Sequence, residues 1–266
     1  MPELPEVETI RRQLEPLVVG RQLGEAWAFP HPKFLPALDA AGAAVDSLRR
    51  RGKYLLLGLD DDRELIVHLG MTGSLRVRPP GDEGDAYVRA WWALPDTGEA
   101  LEFRDVRRFG RLAVVTGGAY AGTLAVQGPD ALDPAFGPDD LWRALRASRR
   151  AVKTQLLSQR PIAGVGNIYA DEALWRARIN PFRRTVTRAQ AAALLAALRE
   201  VLTGSIRYGG TTLTNYRTVE GLPGRNQQRL AVYGQAGLPC PRCGTELRSR
   251  PLDGRTTTWC PTCQPR

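Results

Sequence analysis

Apolar residues recur along the chain with two different spacings, and the change of spacing divides the sequence. Near the start they repeat at intervals of three and four residues, at Val7, Ile10, Leu14 and Leu17. This spacing predicts an amphipathic helix after Pro5 that closes at Pro16 and Gly20. From about residue 53 the apolar runs become short and turn residues separate them, as in 54–59, 64–69, 90–94, 100–104 and 111–115. That texture predicts antiparallel strands in a β-sandwich.

Helical patterns return in the second half, after a connector at 117–138 that is rich in Gly, Pro and Ala. We expect helices from Asp139, near 151–158, after Asn167 as an N-cap, and from Thr187 to about Gly204. The last of these begins with Thr-x-x-Gln, which is a capping box. The result is an α+β fold with four predicted segments: 1–116, 117–138, 139–226 and 227–266.

The charge of the chain points to a polyanionic partner. The 266 residues carry a net charge of +9, and 43% of them are hydrophobic, enough for real cores. Residues 221–266 hold seven arginines against Glu246 and Asp253. Nucleic acid is the expected partner, and a merely solvated basic surface is the alternative. No stretch reaches the ~20 apolar residues of a membrane span, and the acidic start is unlike a secretory signal, so we expect a cytoplasmic protein.

All four cysteines lie in two Cys-x-x-Cys pairs, Cys240/Cys243 and Cys260/Cys263, with sixteen residues between the pairs. This spacing is typical of a tetrahedral four-thiolate zinc site of the structural kind. Two disulfides are the alternative, which a reducing compartment disfavours. We therefore expect one structural Zn²⁺ that organises a short hairpin near the end of the chain.

Two further segments could carry chemistry. If Met1 is removed, Pro2 becomes a terminal secondary amine beside the carboxyl of Glu3, and such an amine is a good nucleophile near neutral pH. The alternative is that Pro5 and Glu6 simply begin a helix. The second segment, Gly164–Glu172, runs from a glycine-rich turn into a helix, which suits phosphate binding but also suits a tight helix–helix turn.

Together these residues resemble a known family, bacterial formamidopyrimidine-DNA glycosylase. The resemblance covers the whole chain and rests on motifs in the family's order: Pro-Glu-Leu-Pro-Glu at 2–6, Arg-Gly-Lys-Tyr at 51–54, His-Leu-Gly-Met-Thr-Gly at 68–73, Arg-Arg-Phe-Gly at 107–110, 164–172, and the cysteine pairs with Gly-Arg at 254–255. It implies an N-terminal antiparallel β-sandwich, a helix-two-turn-helix domain and a zinc hairpin. It also implies a monomer that acts on double-stranded DNA containing oxidised bases or abasic sites.

The resemblance implies a bifunctional enzyme that excises oxidised purines and then cleaves the strand. Pro2 matches the nucleophile that forms a Schiff base with the damaged nucleotide, and Glu3 matches the general acid and base. Lys53 matches the lysine of β-elimination and DNA-backbone contact, although a lysine beside three arginines could simply be solvated. Arg255 matches the arginine of phosphate binding and δ-elimination.

The same resemblance implies the residues that hold DNA. The void-filling residues would be Met71, Arg107 and Phe109, whose placement in Gly- and Arg-rich turns predicts exposed tips; ordinary core residues are the alternative. The helical domain would contact the DNA backbone through Arg149, Arg150, Lys153 and Asn167. The lesion pocket would include Glu6, Glu172 and Tyr216, the last in a flexible loop that caps the flipped base.

Two rival functions remain. An enzyme of the endonuclease VIII type would excise oxidised pyrimidines by the same chemistry, but Leu4 and the intact void-filling set favour the purine enzyme. A non-catalytic DNA-binding module is the other rival, and the presence of both Pro2 and Glu3 disfavours it.

Overall fold

The structure is a computed structural model that describes residues 1–79 and 85–266. Its contacts divide the chain into two units. The first unit contains Met1–Ala125 and Tyr208–Gln227, and the second contains Val126–Arg207 and Gln228–Arg266. The predicted segment 139–226 is thus divided, because residues 208–227 bond to the first helix of the chain instead of staying with the helices that precede them.

The first unit begins with helix α1, Leu4–Val18, as the apolar spacing predicts. Glu3 is the N-cap, and its backbone N–H donates to the Glu6 carboxylate at 2.8 Å, as in a capping box. The apolar face, which includes Val7, Ile10 and Leu14, is fully buried. Pro16 lies inside the last turn and does not end the helix. Its missing N–H costs only one helical hydrogen bond, close to the point where the helix ends in any case.

In the described residues of the first unit, eight strands form two four-stranded sheets in which every pairing is antiparallel. In chain order they are β1 Ala26–Ala28, β2 Val45–Arg51, β3 Tyr54–Leu59, β4 Arg63–His68, β5 Gly73–Arg78, β6 Val88–Leu94, β7 Glu99–Asp105 and β8 Arg111–Thr116. The sheet orders are β2-β3-β4-β8 and β1-β6-β7-β5. Both sheets contribute to one core with α1, in which Leu57, Trp92 and Phe103 are buried. The predicted β-sandwich is therefore confirmed.

The second unit is helical. Its helices are α3 Pro138–Arg146, α4 Val152–Leu157, α5 Asn167–Arg176 and α6 Arg188–Arg207, after the short α2, Gly122–Val126, inside the expected connector. The capping box at Thr187 is confirmed, because Thr187 and Gln190 exchange backbone and side-chain hydrogen bonds of 3.0 and 3.1 Å. The N-cap of α5 is Gly166; the prediction of Asn167 was wrong by one residue, since Asn167 already has helical backbone geometry.

A two-stranded hairpin closes the second unit, with β9 at Arg248–Leu252 and β10 at Arg255–Trp259. The two residues between the strands, Asp253 and Gly254, have φ of +48° and +72°. Two positive φ values in a two-residue loop define the tight turn that matches strand twist, and glycine accepts that geometry without strain. Among the described residues, every helix is too short or too polar to cross a bilayer.

Candidate functional site

The start of the chain is fixed by one carboxylate. Pro2 and Glu3 are buried where α1 begins. Glu6 accepts a hydrogen bond from the backbone N–H of Glu3 at 2.8 Å and another from that of Thr211 at 2.7 Å. A single side chain therefore sets the position of residue 3 and ties it to the segment 208–227.

Tyr216 anchors the same segment against α1. It is buried, and its hydroxyl donates to the carbonyl oxygens of Gly209 at 3.0 Å and Glu6 at 3.4 Å. Burial and the negative charge of Glu6 raise the pKa of Tyr216, which keeps the phenol neutral and able to donate. Gly210 lies between them with φ of +84°, and an added Cβ would lie 3.0 Å from both side chains. Glu6 and Tyr216 are thus brought together; their place at a lesion pocket stays a prediction.

Lys53 lies in the turn between β2 and β3 and is 7% exposed. Arg50 holds this turn to α1, because it donates to the Glu8 carboxylate and to the Gly52 carbonyl oxygen, both at 3.0 Å. Burial alone would raise the pKa of Glu8, but hydrogen bonds from Arg11 and Arg12 and the charge of Arg50 lower it. The turn with Lys53 is therefore bonded through Arg50 to the helix that starts at residue 4, within the first unit.

Met71 and Phe109 lie at the tips of two adjoining turns and are 39% and 48% exposed. The turns touch backbone to backbone, since a Cβ added to Gly70 would lie 2.4 Å from the amide nitrogen of Gly110. The Arg107 guanidinium lies 4.8 Å from the centre of the Phe109 ring. The structure thus brings the three predicted void-filling side chains to one exposed edge, as their Gly- and Arg-rich turns imply.

The Asp105 side chain connects these two turns through hydrogen bonds. It is completely buried, and its carboxylate accepts hydrogen bonds from the Thr72 hydroxyl at 2.5 Å and the Gly110 backbone N–H at 2.7 Å. The Thr72 oxygen in turn accepts from the Arg107 backbone N–H at 3.0 Å. Sequence reasoning missed this role, although a carboxylate at the end of an apolar strand before a glycine-containing turn is a usable signal.

His68 supports the Met71 turn as a neutral acceptor. Its Nδ1 accepts from the Gly70 backbone N–H at 3.2 Å, and its ring centre lies 4.7 Å from that of Tyr54. Burial, followed by the charges of Lys53 and Arg111, lowers the pKa of His68 to about 4. The ring is therefore uncharged near neutral pH and serves the turn by packing and hydrogen bonding.

In the second unit, Lys153 is buried completely. Its ammonium lies 2.6 Å from the Asp171 carboxylate and donates to the Thr256 carbonyl oxygen at 3.1 Å and the Thr257 hydroxyl at 2.9 Å. Burial raises the pKa of Asp171 to about 6, against the charge and hydrogen bond of Lys153 that lower it. A lysine with no exposed surface does not touch a phosphate, so the predicted DNA contact is corrected to a structural role: Lys153 joins α4 and α5 to β10.

The other expected DNA-backbone residues of this unit lie at its surface. Asn167 is half-buried at the first turn of α5 and donates to the Thr256 carbonyl oxygen at 3.1 Å. Arg149 and Arg150 are exposed just before α4, and Arg255 is exposed directly after the hairpin turn. These four residues stay predicted contacts, now with positions that a DNA strand can reach.

Glu172 has a different environment from the one expected. It is buried, and its carboxylate accepts hydrogen bonds of 2.8–3.0 Å from the backbone N–H groups of Ala231, Val232 and Tyr233. Three such bonds fix the segment that leads into the zinc hairpin. Its predicted place at the lesion is not supported by these contacts, which give it a structural function within the second unit.

The four cysteines form a site of the right size for one Zn²⁺. Their sulfur atoms all lie within 4.8 Å of one another, with Sγ–Sγ distances of 4.0 Å for Cys240–Cys263 and 3.5 Å for Cys243–Cys260. Four sulfurs at about 2.3 Å from a tetrahedral ion are about 3.8 Å apart. The Trp175 indole donates to the Cys240 sulfur at 3.4 Å, which orients the ligand and favours its thiolate form. The residues fit a closed, structural zinc site.

Comparison with known protein families covers nearly the whole chain. Residues 1–112 match the model described as the formamidopyrimidine-DNA glycosylase N-terminal domain, residues 127–217 match its H2TH domain, and residues 237–266 match a zinc finger found in Fpg and IleRS. A curated protein named formamidopyrimidine-DNA glycosylase from Thermus thermophilus is 47% identical over 270 residues, covering 99% of this chain and 98% of that protein. The chain belongs to the formamidopyrimidine-DNA glycosylase family. Its Cys₄ cluster is the family's structural zinc site.

Other members agree in sequence and in fold. A formamidopyrimidine-DNA glycosylase from Deinococcus radiodurans is 44% identical over 280 residues, covering 100% of this chain and 98% of that protein. The crystal structure of the MutM (Fpg) protein from Thermus thermophilus superposes with a TM-score of 0.91 at 47% identity, covering 99% of this chain and 98% of that one. A complex of a Lactococcus lactis Fpg variant with Fapy-dG-containing DNA superposes with a TM-score of 0.90 at 32% identity, covering 100% of both chains.

Proposed function

We propose that this formamidopyrimidine-DNA glycosylase excises oxidised purines, such as 8-oxoguanine and formamidopyrimidines, from duplex DNA and then cleaves the strand at the abasic site. The observation that carries the proposal is the start of the chain: Pro2 and Glu3 precede a capped helix, and the Glu6 carboxylate holds their backbone in place. The Lactococcus lactis relatives, solved with Fapy-dG-containing and abasic-site DNA, support this substrate class.

The reaction requires that Met1 has been removed, which leaves Pro2 as a secondary amine. Its nitrogen lone pair attacks C1′ of the extruded nucleotide, the bond from C1′ to the base breaks, and the base leaves with a proton. Opening of the sugar then gives an iminium whose positive charge cannot be lost from nitrogen. That charge withdraws electrons from the sugar and makes the later bond cleavages easier.

Glu3 is proposed as the group that moves protons at this centre. It would protonate the ring oxygen as the sugar opens and take the proton from C2′ before the 3′ phosphate leaves. The 5′ phosphate leaves in a second elimination, so the product is a one-nucleotide gap with a phosphate at each end. Lys53, buried in the turn held by Arg50 and Glu8, would assist the first elimination, and Arg255 on the zinc hairpin would stabilise the second.

The exposed edge formed by Met71, Arg107 and Phe109, here called the void-filling edge, would offset the free-energy cost of base extrusion. Flipping a base out of a duplex costs a few kcal/mol of stacking and pairing. Met71 and Phe109, exposed on turns that Asp105 and the two contacting glycines fix, would enter the gap, and Arg107 would hydrogen-bond the orphaned base. Arg149, Arg150 and Asn167 would hold the strand by its phosphates, with zinc organising the hairpin and taking no part in the chemistry.

The protein is proposed to act on chromosomal DNA in a reducing cytoplasm. This is supported by the four cysteines, which are free thiols in a geometry suited to zinc and would lose that site on oxidation.

Covalent trapping tests the proposal. In the presence of borohydride, the enzyme should form a reduced adduct with a duplex containing 8-oxoguanine opposite cytosine, and peptide mapping should place the adduct on Pro2. Pro2→Gly should still bind the lesion but lose most strand scission. An adduct on an internal lysine would exclude the mechanism. Faster excision of thymine glycol than of 8-oxoguanine would instead identify an enzyme of the endonuclease VIII type.

A further inference from the structure

Arginines from four separate segments of the second unit converge on one cavity of about 810 Å³. The segments are the turn before α4, the loop after α5, strand β9 and the last residue. In the part of the chain that the structure describes, Asp253 is the single acidic residue among those that line it. The arginines are Arg149, Arg150, Arg183, Arg184, Arg250 and Arg266.

This cavity continues into a second one of about 770 Å³, because both are lined by Phe182, Arg250 and Arg266. The second cavity adds Arg248, which lies two residues before Arg250 on β9, and one further acidic residue, Glu246. Alternate residues of a strand project to the same side, so these two side chains extend the same positive surface. We call this surface the arginine groove, defined by residues 149, 150, 183, 184, 248, 250 and 266.

Aromatic rings fix the cation at the middle of the groove. The Arg250 guanidinium lies 3.6 Å from the centre of the Phe182 ring and 5.7 Å from that of Trp259. Phe182 and Trp259 support each other, with ring centres 5.0 Å apart in an edge-to-face arrangement. Stacking uses the flat face of a guanidinium and leaves its N–H edge free to donate, which suits a phosphate oxygen.

Few internal anions neutralise the groove. Among the described residues, the ion pair between Arg150 and Asp253, at 3.5 Å, is the one such pair that a groove arginine makes, and both side chains are more than half exposed. Exposed pairs of this kind contribute little. The remaining arginines repel one another in the free protein, and a polyanion that enters the groove would relieve that repulsion.

The register of the hairpin locates the groove relative to Arg255. On β10, Thr257 pairs with Arg250 and Trp259 pairs with Arg248. These positions are two and four residues from Arg255, or about 7 and 13 Å along the strand. At about 3.4 Å per nucleotide along a DNA strand, that is about two to four nucleotides.

We propose that the arginine groove binds the phosphodiester backbone of duplex DNA in the flank of the lesion, about two to four nucleotides from the phosphate held by Arg255. The chemistry is that of a charge-tracking surface without base recognition. The placement beside a lesion rests on the function proposed above, whereas the affinity for duplex does not.

The test uses the full-length zinc protein and the double substitution R183Q/R184Q. The matched control, R160Q/R207Q, removes two exposed arginines of the same unit that do not line the groove. Affinity for an undamaged duplex of about 25 base pairs is measured across a salt series. Each lost phosphate contact lowers the slope of log K against log salt by about 0.9, so R183Q/R184Q should lower it by about 2 and weaken binding roughly 30-fold at about 0.15 M salt. The control should leave both values unchanged.

A second series locates the contact. A duplex with a central tetrahydrofuran abasic analogue is shortened from each end in turn to about two flanking base pairs. Wild-type protein should lose affinity when one particular flank is removed, and R183Q/R184Q should show no such loss. The proposal would be overturned if R183Q/R184Q and its control had equal slopes of log K against log salt. It would also be overturned if removal of a flank reduced the affinity of R183Q/R184Q as much as that of wild type. Borohydride trapping by wild-type protein reports separately on the proposed function, so failure of one is distinguishable from failure of the other.

Discussion

The buried carboxylate of Asp105 gives the sharpest test of how the void-filling edge is built. Asp105→Ala removes the acceptor for the Thr72 hydroxyl and for the Gly110 backbone N–H, and both groups stay buried. Hydrogen bonds to a charged group contribute about 1.5–3 kcal/mol each, so two of them set an upper limit of about 6 kcal/mol. Removing a completely buried carboxylate also relieves its desolvation, which offsets part of that loss. We expect the free energy of unfolding to fall by about 3 kcal/mol.

The functional effect should depend on whether a base has to be extruded. Without Asp105, the turns that carry Met71 and Phe109 lose their common support, so the void filling proposed for these side chains should become less favourable. An abasic site has no base to unstack and depends less on that step. Asp105→Ala should therefore slow excision of 8-oxoguanine by a larger factor than it slows cleavage at an abasic site, when both are measured in single turnovers.

Urea unfolding followed by tryptophan fluorescence gives the stability, and two substitutions serve as comparisons. Asp105→Asn can keep one of the two bonds and should lie between wild type and Asp105→Ala. Asp46→Ala removes an exposed carboxylate of the same unit and should change stability by less than about 0.5 kcal/mol. The reasoning is refuted if Asp105→Ala matches Asp46→Ala in stability and in the ratio of the two rates.

Three further predictions concern the buried pair, His68 and zinc. Asp171→Asn leaves the buried Lys153 ammonium without its counter-ion and should lower the unfolding free energy by about 3–5 kcal/mol. The apolar double substitution Lys153→Met/Asp171→Leu should recover most of that loss. An equal loss in both variants would contradict the structural role of the pair. Because the pKa of His68 falls from 6.5 to about 4, the unfolded chain binds the proton first, so stability should decline as pH drops through this window. His68→Asn should remove that decline and His31→Asn should not, as urea midpoints across pH would report. Cys260→Ser should abolish zinc binding and, by releasing the three hairpin arginines, weaken duplex affinity roughly 100-fold at about 0.15 M salt; unchanged affinity with metal lost would refute the structural role.

Much of the fold follows from spacing alone. The apolar runs at 54–59 and 111–115 form β3 and β8. In each strand the apolar side chains include those that the core buries. The strand at Val45–Arg51 gave no such signal. It lies at the edge of its sheet and buries only Val45 and Leu48, so five polar residues in seven obscure the pattern.

The residue types of the candidate site could be predicted from the sequence, but the side-chain contacts of those residues could be predicted less well. Met71 and Phe109 could be assigned to exposed tips because glycine and arginine surround them. The burial of Lys153 could not be predicted, because a lysine is expected in solvent. The partners that make its burial tolerable, Asp171, Thr256 and Thr257, lie 18 to 104 positions away. The bond between Thr211 and Glu6 joins residues 205 positions apart, and no local pattern encodes such a contact.

That same bond has a consequence for biosynthesis. The segment that begins with Pro2 is the first to leave the ribosome, yet one of the backbone N–H groups that bind the Glu6 carboxylate belongs to residue 211. At about 5–20 residues per second, roughly 10–40 s of translation separate the two. A nascent chain therefore exposes its amino end long before that end is held in place, and the proposed reactive centre can form only when nearly all of the polypeptide has been made.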